Sequence, residues 1–413
     1  MPRRSEMPVF GNLQGLKVVH CSTSVAGPIA AQMMADAGAD VIWIENFKSP
    51  DFNRTGTGMS VQQDRRNQRN IGLNIPSPEG KKVFLDLMKE TDIFIESSRG
   101  GQYKKWGLTD EVLWEANPAL IIVHISGFGQ TGVPEYVTRA SYDPIAQAFG
   151  CYTFLNGFID RPPISAYPVP ADYITGMFGA FGALAALYRT RQTGIGESID
   201  CAQFESIIRC EWGFPMEYLN LGLQKNREGN KSEVYAGYGS YKCMDGEYIY
   251  ILVLGANVTK AMFNILGLEM GNDIFPANLS SVLATDVGAP VLEAALQDYF
   301  DHHTAEDAEK ELLAAGVACS RIMNYAAAVK DPHYIAREVF VEWEEPVEHR
   351  KLKGIGVFPK YKNNPGKVWR GMPGVGMDNK DILLDLGYSE ERIEELKECG
   401  AIGEVVKKWE TVF

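Results

Sequence analysis

The run Leu16–Glu45, LKVVHCSTSVAGPIAAQMMADAGADVIWIE, reads as strand, turn, helix and strand. LKVVHC (16–21) and VIWIE (41–45) are short and rich in β-branched residues. Between them a loop at Ser22–Pro28 opens a small-residue helix that runs to about Gly38. Outward from this unit the alternation continues. Glu79–Glu90 is an amphipathic helix, Asp92–Glu96 (DIFIE) a third strand and Ala119–Ile125 (ALIIVHI) a fourth. Apolar runs joined through helices predict βαβ units and an α/β fold with a Rossmann-like, doubly wound parallel sheet. Ligands of such sheets sit beyond the carboxyl ends of the strands. Three loops should therefore gather at one edge: Ser22–Pro28, Ser97–Gly107 and Ser126–Gly132.

Past residue 150 the decisive stretch is SAYPVPADYITGMFGAFGALAALYRTRQTGIGESID (165–200). Pro168 and Pro170 hold the entry extended. The small residues Gly176, Gly179, Ala180, Gly182 and Ala183 predict a helix lying very close to its neighbours, because glycine in a helix interior costs roughly 1 kcal/mol against alanine and needs a packing reason. Asp172 falls at or just inside that helix's N-terminus, where a negative charge is favoured. Local pattern leaves two readings open, an N-cap or an ionised nucleophile. Farther on, Glu197–Cys201 reads as a strand and Ala202–Leu221 as a helix that Pro215 kinks or breaks. QKNREGNKS (224–232) is a polar linker, followed by a hairpin around Asp245-Gly246 and two helices at 290–301 and 305–315. The expected division is a large domain at 1–222, a smaller α+β domain at 233–330, and a linker with a C-terminal return to the large domain at 331–413.

Composition excludes several classes. The chain has 413 residues and a net charge of −13, which argues against a nucleic-acid or anionic-membrane partner. Seven scattered cysteines without a CxxC pair, no metal-ligand spacing, no apolar leader and no spanning segment point to a reduced, cytoplasmic protein. Ser24-Val25-Ala26-Gly27-Pro28 is not a GxGxxG turn, so a nicotinamide dehydrogenase is disfavoured. There is no Walker A, HExxH or GxSxG motif, and His20 and His124 read as structural. Arg99, Lys104 and Lys105 after the third strand are either a solvated turn or a grip for a phosphate-bearing tail. The segment Tyr235–Ser240 is either a turn into the hairpin or a flexible cover over a reactive centre.

Across nearly its whole length the chain resembles the family III CoA-transferases. The matching stretches include VAGPIAAQMMADAGADVIWIEN (25–46), DRRNQRNIGLNI (64–75), HISGFGQTG (124–132), ASYDPIAQAF (140–149), ADYITG (171–176) and NNPGKVWRGMP (363–373). The resemblance implies that Asp172 is the catalytic nucleophile, attacking an acyl-CoA thioester to give an anhydride and then an aspartyl-CoA thioester. It implies that Ser24, Val25, Arg99 and Lys105 bind CoA, and that Gly237, Tyr238 and Gly239 belong to a loop over the reacting centre. No permanent cofactor or metal is implied; CoA enters as a thioester substrate, with a small carboxylic acid as partner. An interlocked-ring homodimer is implied too. Two positions depart from relatives: Trp106 replaces a basic residue, and Ala236–Ser240 is sparser than a four-glycine loop. Tyr142 stands where α-methylacyl-CoA racemases carry a histidine, and tyrosine is a poor exchange partner for an α-proton at neutral pH. The intact Asp172 speaks against a non-catalytic CoA-binding subunit. Within the family the sequence leans towards acids such as carnitine, crotonobetaine and γ-butyrobetaine, with Tyr152, Tyr167, Tyr235 and Tyr238 as aromatic faces for the ammonium. The alternative is a bile acid or another 2- or 3-hydroxy acid.

Overall fold

A computed structural model describes residues 3–56 and 59–405. The chain forms two compact units: one takes Met1–Tyr152, Ala166–Trp212 and His333–Phe413, the other Thr153–Ser165 and Gly213–Pro332. These boundaries differ from the expected 1–222, 233–330 and 331–413. The first unit gives up a short insert at 153–165 and ends its middle portion ten residues earlier.

In the larger unit six strands form one parallel sheet: β1 (Lys17–Cys21), β2 (Asp40–Glu45), β3 (Arg69–Gly72), β4 (Ile93–Glu96), β5 (Ile121–Ser126) and β6 (Glu197–Ala202), in the order β3-β2-β1-β4-β5-β6. Successive strand residues serve opposite faces. Val18, Ile93, Ile95, Ile121 and Val123 join a core with helices α1 (Ala26–Asp36) and α4 (Pro170–Thr193). Val19, Phe94 and Ile122 join another core with α2 (Pro78–Met88) and two C-terminal helices, Asn379–Asp385 and Glu390–Glu398. Both faces are covered, which is why the strands read as near-continuous apolar runs.

Sequence pattern missed β3. Its residues, RNIG, begin with Arg69 and Asn70, both fully buried. The strand forms because these polar groups are paired. Arg69 binds Asp40 at 2.8 Å and Asp385 at 2.7 Å, and the Asn70 backbone N–H donates to Asp378 at 2.8 Å. Neighbouring Asn67 donates to Asp36 and to the Lys367 carbonyl, both at 2.7 Å. The segment thereby ties the returning C-terminal chain to the first strands. A second feature missed by pattern is the hairpin β10 (Phe340–Glu344) with β11 (Lys351–Ile355), inside the segment expected to be a linker and C-terminal return. The helix expected at 202–221 is two helices, α5 (Gln203–Ile208) and Phe214–Leu221, with Pro215 in the first turn of the second.

Two of the glycines of α4, Gly176 and Gly179, have the packing reason they require. A Cβ on Gly176 would lie 2.6 Å from the Ala26 carbonyl oxygen of α1, and one on Gly179 would lie 3.0 Å from Ile125 on β5. At Gly182 the nearest atom, on Ile199, would be 3.4 Å away.

The smaller unit has an antiparallel sheet, β7 (Tyr238–Lys242), β8 (Tyr248–Leu252) and β9 (Ala318–Arg321), with helices Ala256–Leu266, Ala289–Asp301 and Ala305–Ala314. Ile249 and Ile251 point into its core while Tyr248 and Tyr250 are exposed.

Candidate active site

The strand order reverses between β1 and β4, and the loops after these two strands flank the resulting crevice. They are pinned together: the Thr23 N–H donates to Ser97 Oγ at 3.0 Å. Gly27 has no room for a side chain here, since a Cβ would lie 2.3 Å from Ser22 Oγ and 3.2 Å from Ser97. Ser24 adopts a left-handed backbone, φ 63°. Its N–H donates to Asp51 at 3.2 Å and its carbonyl accepts from Arg65 at 2.9 Å, while Arg65 and Asp51 form a fully buried pair at 2.6 Å. The loop after β4 is set by Glu96, whose carboxylate accepts the Ser98 N–H at 2.6 Å and holds His124 at 2.7 Å. Burial acts to lower the His124 pKa, but Asp110 and Glu96 together lift it to about 10, so this imidazolium is a structural brace.

Between these loops, the loop after β5 and the start of α4 lies a cavity of ≈ 210 Å³. All three expected loops contribute: Thr23 and Ser24, Ser97–Arg99, and Ser126 with Gly127. Asp172, Gln203, Arg139, Tyr142 and Phe52 line it as well.

Asp172 is not an N-cap. Helix α4 starts at Pro170 after Val169, which supplies no side-chain cap. That job falls to Asp143, at the start of helix α3 (Asp143–Phe149), whose Oδ2 accepts the Asp172 N–H at 3.1 Å. The Asp143 carboxylate is itself held by Gln147, which also brackets Ala166 with hydrogen bonds of 2.8 and 3.0 Å. Asp172 is 6% exposed, and its carboxyl accepts on Oδ1 from Gln203 Nε2. Among the described residues it has no ion-pair partner. Desolvation, then the neighbouring Asp143, push its pKa up to about 7, with Gln203 pulling the other way and Asp64 adding a little. Asp64 is itself raised to about 6 by burial. A dry carboxylate of that basicity is a stronger nucleophile than an ordinary surface one, and it sits where a reacting carbonyl could approach.

Of the residues expected at the site, Asp172, Ser24 and Arg99 line one cavity. Val25 is the residue capping α1 and lies outside the lining. Lys105 ends a short helix, Gln102–Lys105, is exposed, and is likewise outside it. Gly237, Tyr238 and Gly239 are in the smaller unit and do not form an open loop. Tyr238 and Gly239 are the first residues of β7, and the Gly237 N–H donates to Glu293 at 2.8 Å. A Cβ on Gly239 would lie 2.5 Å from the Asn230 carbonyl, so that glycine serves a close backbone approach. Tyr152 and Tyr167 are not in the lining, and Tyr167 is almost fully exposed. Sequence reading assigned no role to Gln203, Asp143, Arg139 or Ser97. Gln203 was findable, because it directly follows the carboxyl end of β6.

The model of CoA-transferase family III matches residues 13–379. The chain belongs to that family. The bile acid CoA-transferase BaiK of Clostridium scindens is 42% identical over 401 residues, covering 96% of this chain and 90% of that protein. Among solved structures, a CaiB/BaiF family protein from Brucella suis is similar with a TM-score of 0.78 and 28% identity, over 92% of this chain and all of the other. The Mycobacterium tuberculosis protein Rv3272 shares the fold, with a TM-score of 0.75 and 20% identity over 90% of this chain and 99% of its own. The protein is therefore an enzyme, a family III CoA-transferase, whose substrates are CoA thioesters and carboxylic acids.

Proposed function

We propose that the enzyme moves CoA from an acyl-CoA to a free, largely apolar carboxylic acid of the bile-acid type, with Asp172 as the covalent nucleophile. The observation that carries the mechanism is the buried Asp172 carboxyl, fixed on one oxygen by Gln203, unpaired by any cation among the described residues, and lining the cavity at the sheet's reversal point. The carboxylate attacks the thioester carbonyl and releases CoA thiolate, leaving an acyl-aspartyl anhydride. The thiolate attacks the aspartyl carbon, expels the donor acid and leaves an aspartyl-CoA thioester. The acceptor carboxylate then repeats the two steps in reverse. Splitting one difficult exchange in this way is the gain of covalent catalysis, and a dry site protects the anhydride from hydrolysis. Arg99, exposed beside the two serine-rich loops, suits the phosphate-bearing part of CoA.

The acid class departs from the carnitine-type expectation for two reasons. The relative named above acts on bile acids and is 42% identical over nearly the whole chain. The cavity lining also carries the guanidinium of Arg139, which lies 4.7 Å from the ring centre of Phe128 and 4.8 Å from that of Tyr136. Those aromatic faces already hold a cation, and that guanidinium would repel a trimethylammonium group while favouring an incoming carboxylate. Phe52 and Tyr142, in edge-to-face contact at 6.4 Å, supply an apolar rim instead. Direct competition decides the acid: cholate and carnitine-type betaines at matched concentration with one CoA donor, products resolved by mass spectrometry. Conversion of cholate in preference is expected. Conversion of the betaines alone would overturn the acid class and leave CoA transfer standing.

A homodimer is proposed as well. One side of α4 exposes Tyr173, Met177, Phe181, Leu184 and Tyr188, an apolar stripe at helical spacing that a second copy would bury. Sedimentation at low concentration tests it, and a monomer at native pH would refute it.

A further inference from the structure

The two oxygens of the Asp172 carboxyl have different surroundings, and the chemistry proposed above uses them differently. Oδ1 accepts from Gln203 Nε2. No hydrogen bond engages Oδ2 among the described residues. Gln203 is 7% exposed and lines the same cavity. Its backbone is set by the sheet: it is the first residue of α5, immediately after β6, and the next residue's N–H faces the Gly127 carbonyl. The carboxamide is thus a preorganised donor on a rigid element and not a mobile surface group.

We infer that Gln203 is a catalytic residue for the two steps that occur at the aspartyl carbon, and not for the two that occur at the substrate carbonyl. This rests on the Asp172 reading. When Oδ2 attacks the thioester, its electron pair forms the new C–O bond, the C–S bond breaks and CoA leaves as thiolate. Oδ1 becomes the carbonyl oxygen of the aspartyl half of the anhydride. The thiolate sulfur then bonds to Cγ, the carbonyl electron pair moves onto Oδ1, and the tetrahedral adduct collapses by expelling the donor carboxylate. The reverse sequence occurs when the acceptor carboxylate attacks the aspartyl-CoA thioester. In both steps the negative charge develops on the oxygen that Gln203 already faces, and a donor aimed there is worth about 10²–10³ in rate. No proton or redox partner is needed at any point. Attack on the substrate carbonyl places the charge on a different oxygen, out of the carboxamide's reach through Oδ1.

The test is the distribution of trapped intermediates in Gln203→Met, which keeps the length and apolar bulk but removes the donor. Enzyme is mixed with acyl-CoA and quenched. Borohydride reduces the aspartyl-CoA thioester on the peptide carrying Asp172, and hydroxylamine captures the acyl group of the anhydride. The wild type is expected to accumulate the thioester. The variant is expected to accumulate the anhydride, with turnover about 10²-fold lower or worse. Gln203→His, which still presents a ring N–H, is expected to shift the ratio back towards thioester. Equal ratios in wild type and Gln203→Met, with both forming adducts, would overturn the role of Gln203 and leave the nucleophile intact. Absence of any adduct on Asp172 in the wild type would instead overturn the nucleophile. If neither variant holds its fold by thermal unfolding, the side chain is structural and the inference fails.

Discussion

Two groups of buried charges in the larger unit follow opposite rules. In the segment Asp64–Asn70 three guanidiniums lie at or below 1% exposure, each answered by a carboxylate: Arg65 by Asp51, Arg66 by Asp36, Arg69 by Asp40 and Asp385. At the start of α4 the carboxyls of Asp172 and Asp143 are buried beside each other with neutral amides and no cation to satisfy them, Gln203 for the first, Gln147 and the Asp172 backbone N–H for the second. A charge buried with its partner breaks roughly even in stability and fixes geometry. A carboxyl buried without one is driven towards its protonated form, costs stability, and persists where that cost serves reactivity. The first arrangement builds the scaffold; the second is the mark of a working site.

The sharpest way to break this contrast is at Asp172. Asp172→Asn and Asp172→Ala should each lower turnover by at least about 10³-fold, measured as acyl-CoA exchange, and near-native turnover in the alanine variant would sink the mechanism. Asp172→Asn should also stabilise the fold. Because the folded pKa lies near 7 and the ordinary value is 3.8, the unfolded chain releases this proton first as pH rises. Native stability is therefore lost progressively between about pH 4 and 7, and the full penalty, on the order of a few kcal/mol, applies above that. Asp172→Asn removes it, so its unfolding temperature should exceed the wild type's at pH 8 and match it near pH 4. Adduct formation, which needs the ionised carboxylate, should rise with pH through a midpoint near 7.

The scaffold arginines should behave in the reverse manner. Arg66 pairs with Asp36 and also reaches the carbonyls of Ile355 and Gly356. Arg66→Met leaves the Asp36 carboxylate buried with only Gln32 and Asn67, and should cost about 3–5 kcal/mol. Urea denaturation measures the loss, and activity per folded molecule should be little changed. Pairing it with Asp36→Leu should recover part of the loss, since an apolar pair of similar volume is often tolerated. A double variant no better than the single would mean that Asp36 contributes through its other hydrogen bonds instead.

The contrast also explains what could be read from the sequence. The strands with apolar faces, LKVVHC, VIWIE, DIFIE and ALIIVHI, announce themselves, and with them the sheet's reversal point and the loops beyond it. Asp172 was legible because it opens a helix of conspicuous glycines. Strand β3 was not, because an arginine and an asparagine satisfied by residues 25 to 316 positions away leave no local signal. Asp143 was hidden for the same reason, since its significance is a hydrogen bond to a residue 29 positions away, whereas Gln203, 31 residues from Asp172, gave only its place directly after β6 as a signal. Tyr238 and Gly239 misled because a Gly-Tyr-Gly-Ser run is as suited to a close-packed strand start as to a cover loop.

The smallest effect expected concerns how firmly the working site is held. Helix α4 carries Asp172 at its start, and its approach to α1 is set one turn later at Gly176. A methyl there would sit 2.6 Å from the Ala26 carbonyl oxygen, a contact that only backbone movement can relieve, and 2.9 Å from the Ile29 side chain. Gly176→Ala should therefore cost about 1–3 kcal/mol by overpacking, even though alanine is the better helix former by roughly 1 kcal/mol. At Gly182 the nearest neighbour would be 3.4 Å away, an ordinary contact. There the propensity gain should dominate, leaving Gly182→Ala neutral or slightly stabilising. The two variants also separate packing from position. Gly176→Ala displaces α4 four residues from the nucleophile and should lower turnover more than its stability loss explains, whereas Gly182→Ala should leave turnover alone. Equal effects of the two on thermal unfolding would mean that the close approach of α1 and α4 does not set the start of the helix, and that the position of Asp172 is fixed by Asp143 and Gln203 without it.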